Sequence, residues 1–140
     1  KTAEIEKLAV AKGLGAAIVP NFSIGMVALT KAAKVAASIM TKAEIVEMHH
    51  DTKLDAPSGT ALRLKEELKT VLGYDMPIHS VRLPGLVAHH EVLLGAPGQL
   101  LTIRHDTLDR QAFVPGILLV TRKIRAVKGL IIGLEPFLET

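Results

Sequence analysis

Apolar residues recur along this chain at two different spacings, and the spacing divides it into elements. Ile24, Val27, Ala28, Ala32, Val35, Ala36 and Ile39 keep to one stripe of a helix over residues 23–41. Ala61, Leu64, Leu68, Val71 and Leu72 do the same over 58–72, where Gly73 stops the helix. A shorter helix over 2–12 leads into a buried strand at 16–19 that Pro20 ends. Alternation replaces the helical period at 44–50, where Ile45 and Val46 supply β-branched side chains. Further strands are expected at 78–83, 88–94 and 99–106, the last two joined by a hairpin turn at Gly95-Ala-Pro-Gly98. A last helix over 113–127, with Pro115 tolerated in its first turn, leads through Gly129 into an apolar tail at 130–138. The pattern predicts an α+β fold, a mixed or antiparallel sheet of about four strands with flanking helices.

Composition adds limits. The 140 residues suit one domain with a sizeable core, and with 49% hydrophobic but only 3% aromatic residues that core is built from Leu, Ile, Val and Ala rather than rings. The uninterrupted apolar stretches are too short to span a bilayer, and no secretory signal pattern is present, so no membrane partner and a cytoplasmic location are expected. With no cysteine there is no disulfide framework or thiolate metal site. Lys and Arg exceed Asp and Glu by only 17 to 14, without a basic run or a stacking platform. That argues against a nucleic-acid partner and suits a small dianionic substrate better.

The densest chemistry lies between Glu44 and Ala61. Histidine holds or releases a proton near neutrality, with an unperturbed pKa of about 6.5, so His49 or His50 can serve as a general acid. Lys53 adds a compact, mobile positive charge four positions after His49. Asp55-Ala-Pro-Ser58-Gly59-Thr60 reads as a helix start, with capping side chains and a proline suited to the first turn. Gly59, lacking a β-carbon, lets a ligand approach the amides of that turn, where the helix dipole favours a carboxylate or phosphate, and the Ser58 and Thr60 hydroxyls add donors. Taken without the histidines, such a turn is more often a plain helix cap. Adjacent histidines in an extended segment face opposite ways, so one of the pair is expected to be supporting rather than reacting.

The same run resembles the signature of the dihydrodipicolinate reductase family, nicotinamide-dependent enzymes of the bacterial and plant route to diaminopimelate and lysine. The pattern of a Glu, a His pair, a Lys three positions beyond and then Asp-Ala-Pro-Ser-Gly-Thr-Ala is filled at every position. Ile18-Val-Pro-Asn-Phe-Ser-Ile-Gly25 is similar to the family's passage between domains, and the stretches Ser80 to Glu91 and Thr102 to Asp106 are similar to its later strands. The resemblance implies that His49 is the proton donor, Lys53 the second catalytic cation and His50 a substrate contact, with Ser58, Gly59 and Thr60 holding a substrate carboxylate. It implies that Val19, Pro20, Asn21 and Phe22 touch the nicotinamide half of NADH or NADPH, although Phe22 serves equally as a core residue. Arg110 is a weaker candidate, since a lone arginine before a helix is more often a solvated charge.

The resemblance also implies a division of the chain: 1–22 as the last helix and strand of a Rossmann-type dinucleotide-binding domain, 23–110 as the substrate-binding and tetramerisation domain, and 111–140 as a helix and tail returning to the first. The glycine-rich turn of a dinucleotide domain is absent: Ile18 follows Gly13-Leu-Gly15, and Leu101 follows Gly95-Ala-Pro-Gly98, where a third glycine would fall. With Lys1 rather than Met at its start, the chain is expected to be the carboxyl-terminal part of a longer reductase and inactive by itself. Leu130, Ile131, Ile132, Leu134, Phe137 and Leu138 are then expected to be exposed or paired with another copy, and a homotetramer through the sheet follows from the family. The rival readings are a metal-dependent hydrolase drawing on the histidines and aspartates, a non-catalytic assembly module, and a two-domain oxidoreductase with a different substrate. No metal-ligand spacing supports the first, and no metal ligand is assigned.

Overall fold

The computed structural model describes residues 1–139. In chain order its elements are α1 (Thr2–Lys12), β1 (Gly15–Ile18), α2 (Ile24–Ala37), β2 (Lys42–His49), α3 (Gly59–Leu72), β3 (Ile78–Arg82), β4 (Ala88–Ala96), β5 (Gln99–Thr107), α4 (Val114–Lys123), β6 (Gly129–Ile132) and α5 (Glu135–Leu138). Two compact units contain them: Lys1–Ile24 with Gln111–Thr140, and Gly25–Arg110.

In the second unit the strands lie in the order β3-β2-β4-β5. Strands β2 and β3 run parallel, which requires a crossover, and α3 supplies it. Strands β4 and β5 form an antiparallel hairpin that turns at Pro97-Gly98, with Gly98 at φ 72°, a conformation that glycine adopts without strain. The α+β architecture with a four-stranded mixed sheet is therefore as the sequence predicts.

Strand β2 alternates, placing Ala43, Ile45, Glu47 and His49 on its covered face. Both helices pack there: Met26, Leu29, Ala33 and Ala37 of α2 and Leu64 and Leu68 of α3 share one cluster with Ala43, Ile45, Val92 and Leu94. The apolar stripe on α2 differs from the predicted one, because Val35 and Ile39 are exposed and the small Ala33 and Ala37 take the core positions. Small side chains there allow close helix-to-sheet approach, and the helix ends at Ala37 rather than at 41. The helix start at α3 also differs in detail. Ser58 is the cap, its side chain accepting from the amide of Ala61, so Pro57 lies outside the helix, joined to Ala56 by a cis peptide bond.

In the first unit, β1 and β6 pair in parallel from Gly15 with Gly129 to Ile18 with Ile132. The apolar tail expected at 130–138 is thus partly a strand. Leu134 and Phe137 are buried within this unit, contrary to the expectation that they are exposed or paired with another copy, while Ile132 is 53% exposed. Lys123 Nζ donates to the carbonyl of Phe137, 2.8 Å away, holding the end of the chain against α4. Helix α4 is shorter than predicted and is flanked by 3-10 turns at Arg110–Phe113 and Ile124–Ala126.

Candidate active site

Along the covered face of the sheet, apolar side chains give way to polar ones toward the end of β2. The register sets Ser80, Glu47, His90 and His105 in one row and Arg82, His49, Ala88 and Thr107 in the next. Glu47 is fully buried and accepts two hydrogen bonds from Arg82, from Nη2 to Oε1 at 2.7 Å and from Nη1 to Oε2 at 3.0 Å. Burial alone would push this carboxyl up, but hydrogen bonds from Arg82, Ser80 and His49 outweigh it and hold Glu47 down at about 2. It is an anion at neutral pH, so the 2.5 Å contact with His49 Nδ1 requires a proton on that nitrogen.

His49 is 7% exposed, at the last position of β2. Burial depresses its pKa, the hydrogen bond and charge of Glu47 oppose that, and the Lys53 and Arg82 cations depress it further. His90 stands edge-on to it with ring centroids 5.5 Å apart, and burial pushes His90 down to about 4, so this second ring is neutral. His105 follows in the same row, close beneath α2: a β-carbon at Gly25 would lie 2.3 Å from its Nε2.

The loop after β2 brings the remaining groups. Lys53 Nζ donates to Asp55 Oδ1 at 2.6 Å, and the Asp55 carboxyl is held below the usual range by that bond and also by the Gly59 amide. Arg82 Nη2 reaches the carbonyl of Asp55 at 2.7 Å, and the amide of Ser58 donates to Glu47 Oε1 at 3.3 Å. One buried ion pair therefore ties the strand end, the loop and the first turn of α3 together. Ser58 is buried and spends its oxygen on the cap, while the first turn begins with Gly59, whose amide reaches the Asp55 carboxyl, and Thr60. A β-carbon at Gly59 would meet nothing within 4 Å, so the protein's own packing does not demand glycine there. The space above that turn is open to a ligand. His50 lies just past the strand, its Nδ1 paired with Thr52 Oγ1 at 2.7 Å.

Residues 25–138 match the family described as "Dihydrodipicolinate reductase, C-terminus". The chain belongs to this family. The resemblance carried by the His-His and Ser-Gly-Thr run is borne out. Among curated relatives, the 4-hydroxy-tetrahydrodipicolinate reductase of Moorella thermoacetica is 46% identical over 97% of this chain and 58% of its own length. That of Thermosynechococcus vestitus is 48% identical over 96% of this chain and 57% of its own. A solved structure, the dipicolinate-bound dihydrodipicolinate reductase from Paenisporosarcina sp. TG-14, superposes with a TM-score of 0.83 at 41% identity, covering 96% of this chain and 58% of the other. The chain thus spans somewhat more than half the length of the reductases it matches.

Of the residues singled out in the sequence, His49, His50, Lys53, Ser58, Gly59 and Thr60 fall in the Gly25–Arg110 unit, as does Arg110, exposed at the start of a 3-10 turn. Val19, Pro20, Asn21 and Phe22 belong to the other unit, directly after β1, and Asn21 Oδ1 there accepts from the amide of Ser23 at 2.8 Å. This is the carboxyl end of a parallel strand, the place where ligands of parallel sheets bind. No glycine-rich turn follows either parallel strand among the described residues, so the cofactor's pyrophosphate finds no cradle in them. Also among the described residues, no group of three His, Cys, Asp or Glu side chains is arranged for a metal ion.

Glu47 and Arg82 carry the site's geometry, yet the sequence reading gave neither a role. They are 35 residues apart, on adjacent strands, and only the β2/β3 register brings them face to face. The available signal was alternation, which puts Glu47 on the same side as Ile45 and His49, where an ordinary strand would bury an apolar residue.

Proposed function

We propose that this chain supplies the substrate-binding and proton-donating part of a reductase that converts 4-hydroxy-tetrahydrodipicolinate to tetrahydrodipicolinate with NADH or NADPH, in diaminopimelate and lysine biosynthesis. The observation that carries the reading is the junction of β2 and α3: a buried imidazole backed by a carboxylate, a lysine, and a helix start open above Gly59. A heterocycle with two carboxylates matches it. One carboxylate sits on the amides of Gly59 and Thr60, with the Ser58 turn beneath; Lys53 and His50 serve the other. Protonated His49 gives its Nε2 proton to the ring carbon neighbouring the one that takes hydride, and with Lys53 it stabilises the negative charge that develops there. The nicotinamide, when bound beside Val19, Pro20, Asn21 and Phe22, supplies hydride.

On the same reading, 1–22 and 111–140 are parts of the dinucleotide-binding domain and 23–110 forms the substrate and oligomerisation domain. The face of the sheet away from both helices, which includes Val46, Met48, Val81, Leu93 and the 70% exposed Leu100, is where copies pair into a homotetramer. A cytoplasmic setting goes with such an enzyme, and no described helix is long and apolar enough to cross a membrane.

Calorimetric titration with dipicolinate tests the site. Saturable binding is expected, at least tenfold tighter than for the monocarboxylate picolinate and weakened by G59A, whose methyl group enters the ligand's space without disturbing the fold. Equal affinities for the two acids, or an indifferent G59A, would refute the two-carboxylate reading.

A further inference from the structure

Among the groups around His49, the Glu47–Arg82 pair is the one that joins the imidazole, the following loop and the cap of α3. The two side chains are bound fork to carboxylate. From Glu47 one contact runs to His49 Nδ1 and another to the amide of Ser58; from Arg82 one runs to the carbonyl of Asp55. Taking two charges out of water is costly unless their remaining donors and acceptors are used, and here all but the buried Nε of Arg82 are spent, mostly on the strand end and the turn that bear the ligand-binding groups. A purely structural role would be filled as well by two apolar residues of similar volume.

We propose that the buried Glu47–Arg82 pair is a positioning element of the active site: it fixes the Nδ1–H tautomer of His49, leaves Nε2 as its proton-transfer atom, and ties that imidazole to the turn that opens α3. The name "proton-transfer atom" rests on the proposed function above; the tautomer and the tie do not. Four ionisable groups face His49: Glu47 from its own strand, Arg82 from β3, His90 from β4 and Lys53 from the following loop. Glu47 is the anion among them. Without it, burial and two cations act on the imidazole unopposed.

The test is nitrogen chemical shifts of histidine-labelled protein, using the 140-residue chain and its E47Q and E47D variants through a pH titration. In the unsubstituted chain, neutral His49 is expected with its proton on Nδ1, taking the second proton on Nε2 with a midpoint below the ordinary 6.5. In E47Q that midpoint falls by roughly one pH unit or more, and E47D, which keeps the charge, recovers part of the shift. Neutral His49 protonated on Nε2 in the unsubstituted chain, or an unchanged midpoint in folded E47Q, would overturn the proposal. Should E47Q not fold, the tautomer of the unsubstituted chain and the midpoint of E47D decide. Dipicolinate is added last. A chain with the Nδ1–H tautomer that binds no dicarboxylate would overturn the reductase reading and still support the positioning role.

Discussion

Asp55 holds the lysine that the proposed function assigns to an incoming carboxylate. Its Oδ1 lies 2.6 Å from Lys53 Nζ, and its carboxyl is also drawn to the Gly59 amide, so it occupies both kinds of partner a substrate carboxylate would use. Exposed pairs of this kind are weak, which makes the competition easy to win. D55N should therefore tighten dipicolinate binding by up to about fivefold, as read by calorimetry, and an unchanged or weaker affinity would show that Lys53 does not serve the ligand. At this scale the sequence was legible where function depends on residue type at short spacing. His49, Lys53 and Gly59 lie within eleven positions of one another, so a single run displayed them together. Glu47 was legible only as a charge that alternation places on the covered face, and Arg82 not at all, because the partner that explains such burial is set by strand register.

Elements were legible wherever the apolar period was long, as in α3, whose cap and stop are Ser58 and Gly73, with Gly73 at φ 75°. They were not where partners come from opposite ends of the chain. Nothing local distinguishes Leu130-Ile-Ile from a loose tail, and its pairing with β1 makes it a strand. On α2, period alone favoured the large Val35 and Ile39, whereas close packing on the sheet selected Ala33 and Ala37. Tight packing of the same kind fixes α4 in the first unit, where a β-carbon at Gly116 would stand 2.0 Å from the carbonyl oxygen of Phe22. Backbone cannot yield as a flexible side chain does. G116A should cost about 1–3 kcal/mol, seen as a lowered denaturant midpoint, and a variant as stable as the parent would contradict this packing.

Across the whole molecule, buried histidines set how stability responds to pH. His49, His90 and His105 all bind a proton less readily in the folded chain than in the unfolded one, burial being the leading cause in each. Their contribution is complete above the unfolded value of 6.5 and is lost as pH falls, for His90 down to about 4. That ring alone accounts for roughly 3 kcal/mol, and H90Q should flatten the slope. Glu47 adds a second loss, beginning near 4.5 and continuing toward 2, because its folded pKa lies below its unfolded one. Chemical denaturation from neutral pH to about pH 5 checks the histidine part, and a flat profile there would contradict the burial described. At the centre of the proposed function, His49, Lys53 and the first turn of α3 make a single site for a doubly charged heterocycle. A crystal structure of this chain with dipicolinate tests it most directly. The account predicts one carboxylate on the amides of Gly59 and Thr60 and the ring against His49 Nε2; dipicolinate bound elsewhere, with His49 uncontacted, would contradict it.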